Sequence, residues 1–370
     1  MKIVFIGGRS IHILGGIENY MLNLTQELTL LGHECIVWCE SDHHEVEMLD
    51  GVKVIYHPGP KNNLICKPWC GLKATIKTVL FEKDVSFIHY NGWGPSLACL
   101  ISRMCGIPSC MEGHGLEWQR SKYTARAQKV MKFMERVTAN LNQHLIMCSE
   151  GQVKYFHDTY GKESECIPGA VHLPDLDSVN SSNIMKRFGL VPKRFFLFMG
   201  RLVQDKNPDV LIRAFLNAKV AGYELVIAGD NEAMPEYVNS LHKLGEECED
   251  IIFTGSVYGE DKDMLLRNAY CFCLPSTIEG LSIVMIEAAS YKVPIIASNI
   301  DANREFLNDD AIYVRAENEA DLVQALEHAV ENPEELASLV DVNYEKIVEK
   351  YTWDKVALKY EKYLISIGVE

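Results

Sequence analysis

Short apolar, β-branched runs alternate along the chain with longer stretches whose apolar positions recur every three to four residues. KIVFIG is followed by a helical pattern from about Glu18 to Leu31, then by ECIVWCE, VKVIYH, SFIHYNG, a helical stretch through SLACLISRMCG, and PSCMEGH. Near-continuous apolar strands separated by helices predict a parallel sheet covered on both faces. The rhythm restarts with FFLFMGR, the helix PDVLIRAFLNAK, YELVIAGD, a helix from about Pro235, IIFTGSV, AYCFCLP, a helix opened by Gly280, VPIIASN and AIYV. Between the two series, ECIPGAVHLPDLDSVNSSN has no long periodic element and places a boundary between Pro168 and Pro192. The expected fold class is α/β, with two Rossmann-like, doubly wound parallel-sheet domains over residues 1–170 and 171–370 facing across a cleft. Ligands of such sheets sit beyond the carboxyl ends of the strands, so that cleft is the expected site. The last periodic stretch, YTWDKVALKYEKYLIS, predicts an amphipathic helix over about 353–370 that either completes the second domain or packs back on the first.

Composition narrows the function. A chain of 370 residues exceeds the usual size of one domain. Its 36 Lys and Arg against 51 Asp and Glu give a net charge of −15, which argues against general nucleic-acid binding. The first apolar run is too short for a signal peptide or a membrane span, and no later segment offers about twenty uninterrupted apolar residues. The twelve cysteines lie in apparent strands and helices, without a CxxC pair, which points to reduced thiols in a cytoplasmic protein rather than to disulfides or a structural zinc site. SDHHEVE, with His43, His44 and Glu45, is expected to be a solvated loop, and DLD at 175–177 a linker loop.

Three segments carry candidate chemistry. In TIEGLSIVMIE, Glu279 and Glu287 are eight residues apart, so on one helix they would differ by about 80° and about 12 Å. A loop position for Glu279, an open helix end formed by the amides of Gly280, Leu281 and Ser282, and Glu287 on the second turn would instead flank an anion, because helix amino termini bind phosphate. A buried helix with two incidental acids is the plainer alternative. In GGRSIHILGGIENY, the spacing departs from the GxGxxG dinucleotide fingerprint. Gly15 and Gly16 would either let backbone amides approach an anion or merely permit a tight strand-to-helix turn. In FLFMGRLVQDKNPDV, Arg201 and Lys206 follow a strand end and precede a helix, where two cations could neutralise a diphosphate or form surface ion pairs.

GRLVQDKN followed by EGLSIVMIE resembles the second domain of the retaining glycosyltransferases of family GT4, and GGIENYMLNLTQELTLLGHE resembles their amino-terminal glycine loop and first helix. The resemblance spans nearly the whole chain and implies the GT-B architecture. It implies that Arg201 and Lys206 hold the donor diphosphate, that Glu287 bonds the nucleotide ribose, and that Glu279 contacts hydroxyls of the donor sugar. Amides near Gly280, Leu281 and Ser282 would bind phosphate, and Val257 and Tyr258 would meet the base through backbone. His114, in GHG, stands where family members place a histidine beside the donor sugar. Within the family, HGLEWQRSKY and YGKESECIPGAV are most similar to bacterial transferases that add rhamnose or related sugars to surface polysaccharides. The implied donor is a nucleoside-diphosphate sugar such as dTDP-rhamnose or a UDP-hexose, and the implied acceptor a glycan or a lipid-linked glycan.

Cleaving a sugar–phosphate bond builds positive charge on the anomeric carbon and negative charge on the leaving diphosphate, so fixed cations and amides assist most at that oxygen. No cofactor and no metal are then expected. Same-face attack, with the leaving phosphate accepting the acceptor's proton, is favoured over a glutamate nucleophile. EWQRSKYTARAQKVMKFMERV, which carries Arg120, Lys122, Arg126, Lys129, Lys132 and Arg136, predicts either a peripheral contact with anionic lipid over 119–137 or a solvated helix face. A nucleotide-sugar epimerase and a non-catalytic nucleotide-sugar-binding partner of another transferase are the alternatives.

Overall fold

The computed structural model describes residues 1–11, 16–60, 63–119, 123–176 and 181–370. The chain divides into two compact units, Met1–Ala170 with Tyr351–Glu370, and Val171–Lys350.

In the first unit, strands β1 (Lys2–Arg9), β2 (Glu34–Ser41), β3 (Glu45–Leu49), β4 (Val52–Pro58), β5 (Phe87–Asn91), β6 (Ser109–Gly113), β7 (His144–Met147) and β8 (Glu165–Cys166) form one sheet in the order β3-β4-β2-β1-β5-β6-β7-β8. All neighbours are parallel except β3 with β4. One face packs Phe5, Val37 and Phe87 against Met21, Leu24 and Leu28 of the helix Gly16–Leu30, and against Trp353, Val356, Tyr360 and Leu364 of the helix Trp353–Ser366. That last helix therefore belongs to the first unit, where Glu361 also meets His33 Nε2 at 2.9 Å.

Several local features differ from expectation. β1 runs beyond the expected KIVFIG through Gly8 to Arg9, with a register shift against β2 between Ile6 and Gly8. Asp42, His43 and His44 form the exposed loop expected of SDHHEVE, with His43 paired with Asp42 at 2.6 Å and with Glu45 at 3.1 Å, whereas Glu45 begins β3, an antiparallel edge strand. The stretch through SLACLISRMCG is two short helices, Trp93–Ser96 and Cys99–Met104. The helix Asn63–Phe81 was hidden in the pattern by Pro68 and Gly71, and forms nonetheless because Ala74, Thr75 and Thr78 are fully buried.

In the second unit, β9 (Phe195–Met199), β10 (Glu224–Ala228), β11 (Ile251–Gly255), β12 (Cys271–Leu274), β13 (Ile295–Ser298) and β14 (Ile312–Val314) form an all-parallel sheet in the order β11-β10-β9-β12-β13-β14. Every residue of β9 and β12 is buried, as expected for strands covered on both faces. All twelve cysteines are free. Among the described residues, no helix is long and apolar enough to cross a membrane.

Leu364 is fully buried in the core shared with the helix Gly16–Leu30. Leu364→Ala should lower the stability of the first unit by about 2–5 kcal/mol, the range for truncating a buried leucine, as read from urea unfolding of the full chain.

Candidate donor-binding loops and the buried histidine network

The second unit's sheet grows in one direction from β9 through β10 to β11, and in the other through β12, β13 and β14. The β9/β12 pair is thus the switch point, beyond whose carboxyl ends an α/β sheet offers a crevice. Arg201 and Lys206 follow β9, and Glu279 to Ser282 follow β12. The two loops are fastened to each other. Thr277 donates to the Asp205 carbonyl through its amide at 2.8 Å and its hydroxyl at 3.0 Å, and Asn207 Nδ2 donates to the Pro275 carbonyl at 2.8 Å. Behind them, Gly200 N–H donates to the Ala228 carbonyl at 3.0 Å. A Cβ at Gly229 would stand 1.9 Å from the Gly200 carbonyl oxygen, so only glycine allows this approach.

Lys206 Nζ lies 2.9 Å from Glu279 Oε1, with both side chains mostly buried. Arg201 is exposed and makes no ion pair among the described residues. The following helix begins at Ile283, not at Gly280; Ser282 is its amino-terminal cap, and Gly280 and Leu281 lie in the preceding loop. Ser282 is buried, its side chain caps no helix amide, and its Oγ has no hydrogen-bond partner among the described residues. Glu287, one turn into the helix, pairs with Lys262 Nζ at 2.7 Å. Lys262 is a residue that sequence reasoning missed. Its only signal was its place four residues past Tyr258, on the helix Gly259–Asn268 that Tyr258 caps. Val257 is buried and Tyr258 exposed, between β11 and that helix.

At the corresponding edge of the first unit, Gly15 lies outside the described residues, and Gly16 is the exposed first residue of its helix. A Cβ at Gly16 would meet nothing within 4 Å, so packing does not require glycine there. Arg9 donates to Glu18 Oε1 through its amide and its Nε, each at 3.1 Å, which ties the β1 end to that helix. His114 follows β6 directly and keeps 19% of its side chain exposed. Its Nε2 is 3.6 Å from Glu112 Oε2 and 3.4 Å from Asn91 Oδ1, and the ring of Tyr20 meets it edge-on at 5.4 Å. Burial pushes the Glu112 carboxyl up to about 7 and the His89 imidazole down to about 3. Burial also lowers His114, against the opposing pull of Glu112.

Glu40, Cys66 and Cys70 are the cluster of possible metal ligands among the described residues, and they lie in the first unit away from Lys206 and Glu279 in the chain. Arg126, Lys129, Lys132 and Arg136 are exposed on the helix Ala125–Leu141, whereas Arg120 and Lys122 lie outside the described residues. Asp175 of DLD is in a loop, and Asp177 is outside the described residues.

Comparison with known proteins identifies the family and the fold. Residues 14–173 match the family described as Glycosyltransferase Family 4, and residues 181–346 match Glycosyl transferases group 1. The chain is a glycosyltransferase of the family 4 type. An uncharacterized glycosyltransferase of Methanocaldococcus jannaschii is 24% identical, over 93% of each protein. The GDP-mannose-dependent alpha-(1-6)-phosphatidylinositol monomannoside mannosyltransferase of Mycobacterium tuberculosis is 22% identical, over 85% of this chain and 83% of that protein. Among solved structures, sucrose-phosphate synthase from Thermosynechococcus elongatus superposes with a TM-score of 0.84 at 17% identity, covering 99% of each chain, which shows the GT-B fold.

The raised Glu112 carboxyl gives the transferase a signed pH dependence. A folded carboxyl at about 7, against the ordinary 4.5, binds its proton more tightly than the unfolded chain does. Its stabilising contribution is full below the unfolded value and is lost as pH rises through the folded one. Measured by urea unfolding at a series of pH values, the wild type should lose stability relative to Glu112→Gln between these two values. The slope should be at most about 1.4 kcal/mol per pH unit.

Proposed function

We propose that this glycosyltransferase cleaves a nucleoside-diphosphate sugar and passes the sugar, with retention of anomeric configuration, to a glycan or lipid-linked acceptor, as in the assembly of surface polysaccharides. The observation that carries the donor assignment is the pair of lysine–glutamate contacts, Lys206–Glu279 and Lys262–Glu287, on the two sides of the helix end capped by Ser282. Lys206, Lys262 and Arg201 supply three cations to these loops and the neighbouring helix, beside the carboxylates of Asp205, Glu279 and Glu287. The first amides of the helix have no intrahelical acceptor, and the buried Ser282 hydroxyl has no hydrogen-bond partner among the described residues, so both are open to an anion in this reading.

In this reading Arg201 and Lys206 take the diphosphate, where negative charge grows as the sugar–phosphate bond breaks. Glu287, held by Lys262, accepts from the ribose hydroxyls, and backbone at Val257 and Tyr258 meets the base. Glu279 accepts from the sugar's hydroxyls, and His114 is proposed as a further contact of the donor sugar. A carboxylate neutralised by Lys206 at 2.9 Å is a weak nucleophile. Same-face attack is therefore favoured, with the departing phosphate oxygen taking the acceptor's proton. The growing charge is met by side chains and amides, so the transfer is proposed to run without a divalent ion. Among the relatives, the mycobacterial mannosyltransferase is named for a GDP-mannose donor and a phosphatidylinositol mannoside acceptor.

A lipid-linked acceptor also suits the helix Ala125–Leu141. Val130 and Phe133 are 61% and 63% exposed, and recur at helical spacing with the exposed Arg126, Lys129 and Arg136. Apolar side chains among cations on one exposed face fit the headgroup region of an anionic bilayer.

Thermal unfolding against UDP, GDP, dTDP and ADP tests the donor site. One of them, at 100 times its dissociation constant, should add about 2.7 kcal/mol, and the gain should vanish in Arg201→Ala and Glu287→Ala. Glu279→Ala should abolish transfer from the matching sugar donor to membrane lipid extract while the nucleotide still stabilises; full turnover in that variant would refute the site. For the membrane face, flotation with phosphatidylglycerol vesicles should retain the wild type and lose a Lys129→Glu, Phe133→Ser double variant. Neutral phosphatidylcholine vesicles should bind neither.

A further inference from the structure

Behind His114 runs a chain of buried polar groups that begins on the carboxy-terminal helix. Tyr360 Oη is 2.9 Å from His89 Nδ1, and His89 Nε2 is 2.7 Å from Glu112 Oε2. Glu112 Oε2 is in turn 3.6 Å from His114 Nε2. Tyr360, His89 and Glu112 are fully inaccessible to solvent, and they come from three separate elements, the helix Trp353–Ser366, β5 and β6.

The protons of the Tyr360 hydroxyl and of both imidazole rings can be placed. Nδ1 of His89 is the only hydrogen-bond partner of the Tyr360 hydroxyl among the described residues. A buried hydroxyl that only accepted would leave its own proton unsatisfied, so Tyr360 donates and His89 Nδ1 carries the lone pair. Burial keeps the His89 ring neutral, so its single proton is on Nε2 and is donated to Glu112. Asn91 Nδ2 donates to the Ile6 carbonyl at 3.4 Å, which turns Asn91 Oδ1 toward His114. His114 Nε2 thus faces two acceptor oxygens and holds its proton, which leaves Nδ1 as the lone-pair atom of the neutral ring. Cys110 Sγ, 3.4 Å from His89 Nδ1, and the ring of Tyr20 beside His114 complete the surroundings.

We propose that Tyr360 is a positioning residue which, through the His89 tautomer and Glu112, makes His114 present Nδ1 as a hydrogen-bond acceptor to a hydroxyl of the bound sugar. The last step rests on the placement of His114 at the donor sugar given above; the tautomer chain does not. Without the Tyr360 hydroxyl, His89 is free to carry its proton on Nδ1 and turn a bare Nε2 toward Glu112.

The test is long-range proton–nitrogen correlation on the full chain labelled with 15N-histidine, wild type and Tyr360→Phe, with His89→Gln to assign the signals. The wild type should show His89 with an unprotonated Nδ1 and a protonated Nε2, and Tyr360→Phe should move part or all of that population to the Nδ1–H form. An Nδ1–H tautomer in the wild type, or no change in the variant, would overturn the chain whatever the enzyme transfers. In a transfer assay, Tyr360→Phe should lose about tenfold in kcat, the scale of one hydrogen bond, with the donor KM held within about twofold. An unchanged kcat alongside a shifted tautomer would overturn the positioning role. Absence of transfer in the wild type would count against the proposed function and leave the spectra to decide the chain. Nucleotide-induced stabilisation of Tyr360→Phe serves as the control for folding.

Discussion

A diphosphate and two carboxylates repel one another, and any loop that is to hold all three must supply at least as much positive charge at the same place. In the proposed donor site the lysines are already engaged, Lys206 on Glu279 and Lys262 on Glu287. The pairing has two effects in the unliganded protein. It spares two partly buried carboxylates the penalty of an unmatched charge, and it fixes long, flexible lysine side chains before any ligand arrives. An ammonium group has three protons to give, so a lysine bound to one carboxylate oxygen can still donate to a phosphate oxygen.

This arrangement depends on topology more than on local sequence. Lys206 and Glu279 are 73 residues apart, and meet because β9 and β12 are neighbours at the point where the strand order reverses. Fully buried apolar strands hold that pairing in register. The hydrogen bonds from Thr277 and Asn207 across the two loops then turn a shared edge into a defined spacing between charges. A substitution that loosened those crossing bonds would move the cation relative to the carboxylate without touching either.

Much of this was legible in the chain because the signals are local. Apolar runs of four or five residues marked β9, β10, β12 and β13, and the motifs around Lys206 and Glu279 stood at the ends of such runs. What escaped notice has physical reasons. The helix Asn63–Phe81 contains a proline and a glycine, and its stability comes from burial that no window of sequence reports. Lys262 lies on a polar helix face where a lysine is ordinary, and only the folded partner Glu287 distinguishes it. The edge strand β3 has a mixed polar pattern, because one side of an edge strand needs no core. Gly280 looks like a helix start, yet the residues before Ile283 stay in the loop that carries Glu279.

The network behind His114 escaped for a further reason: its members are distant in sequence and individually unremarkable. A buried histidine or glutamate alone would be a liability, since each loses hydration that a nonpolar interior cannot replace. Together, His89 and Glu112 satisfy one another at 2.7 Å, and Tyr360 closes the far end. That closure makes the return of the carboxy-terminal helix to the first unit more than apolar packing by Trp353, Val356 and Leu364. An aliphatic residue at 360 could fill the same space in the core, but it would leave the His89 proton free to choose either nitrogen. Burial of a polar chain that offers a single arrangement of protons is therefore best understood as specification, in which a helix at one end of the sequence determines which atom of His114 meets solvent at the sheet edge.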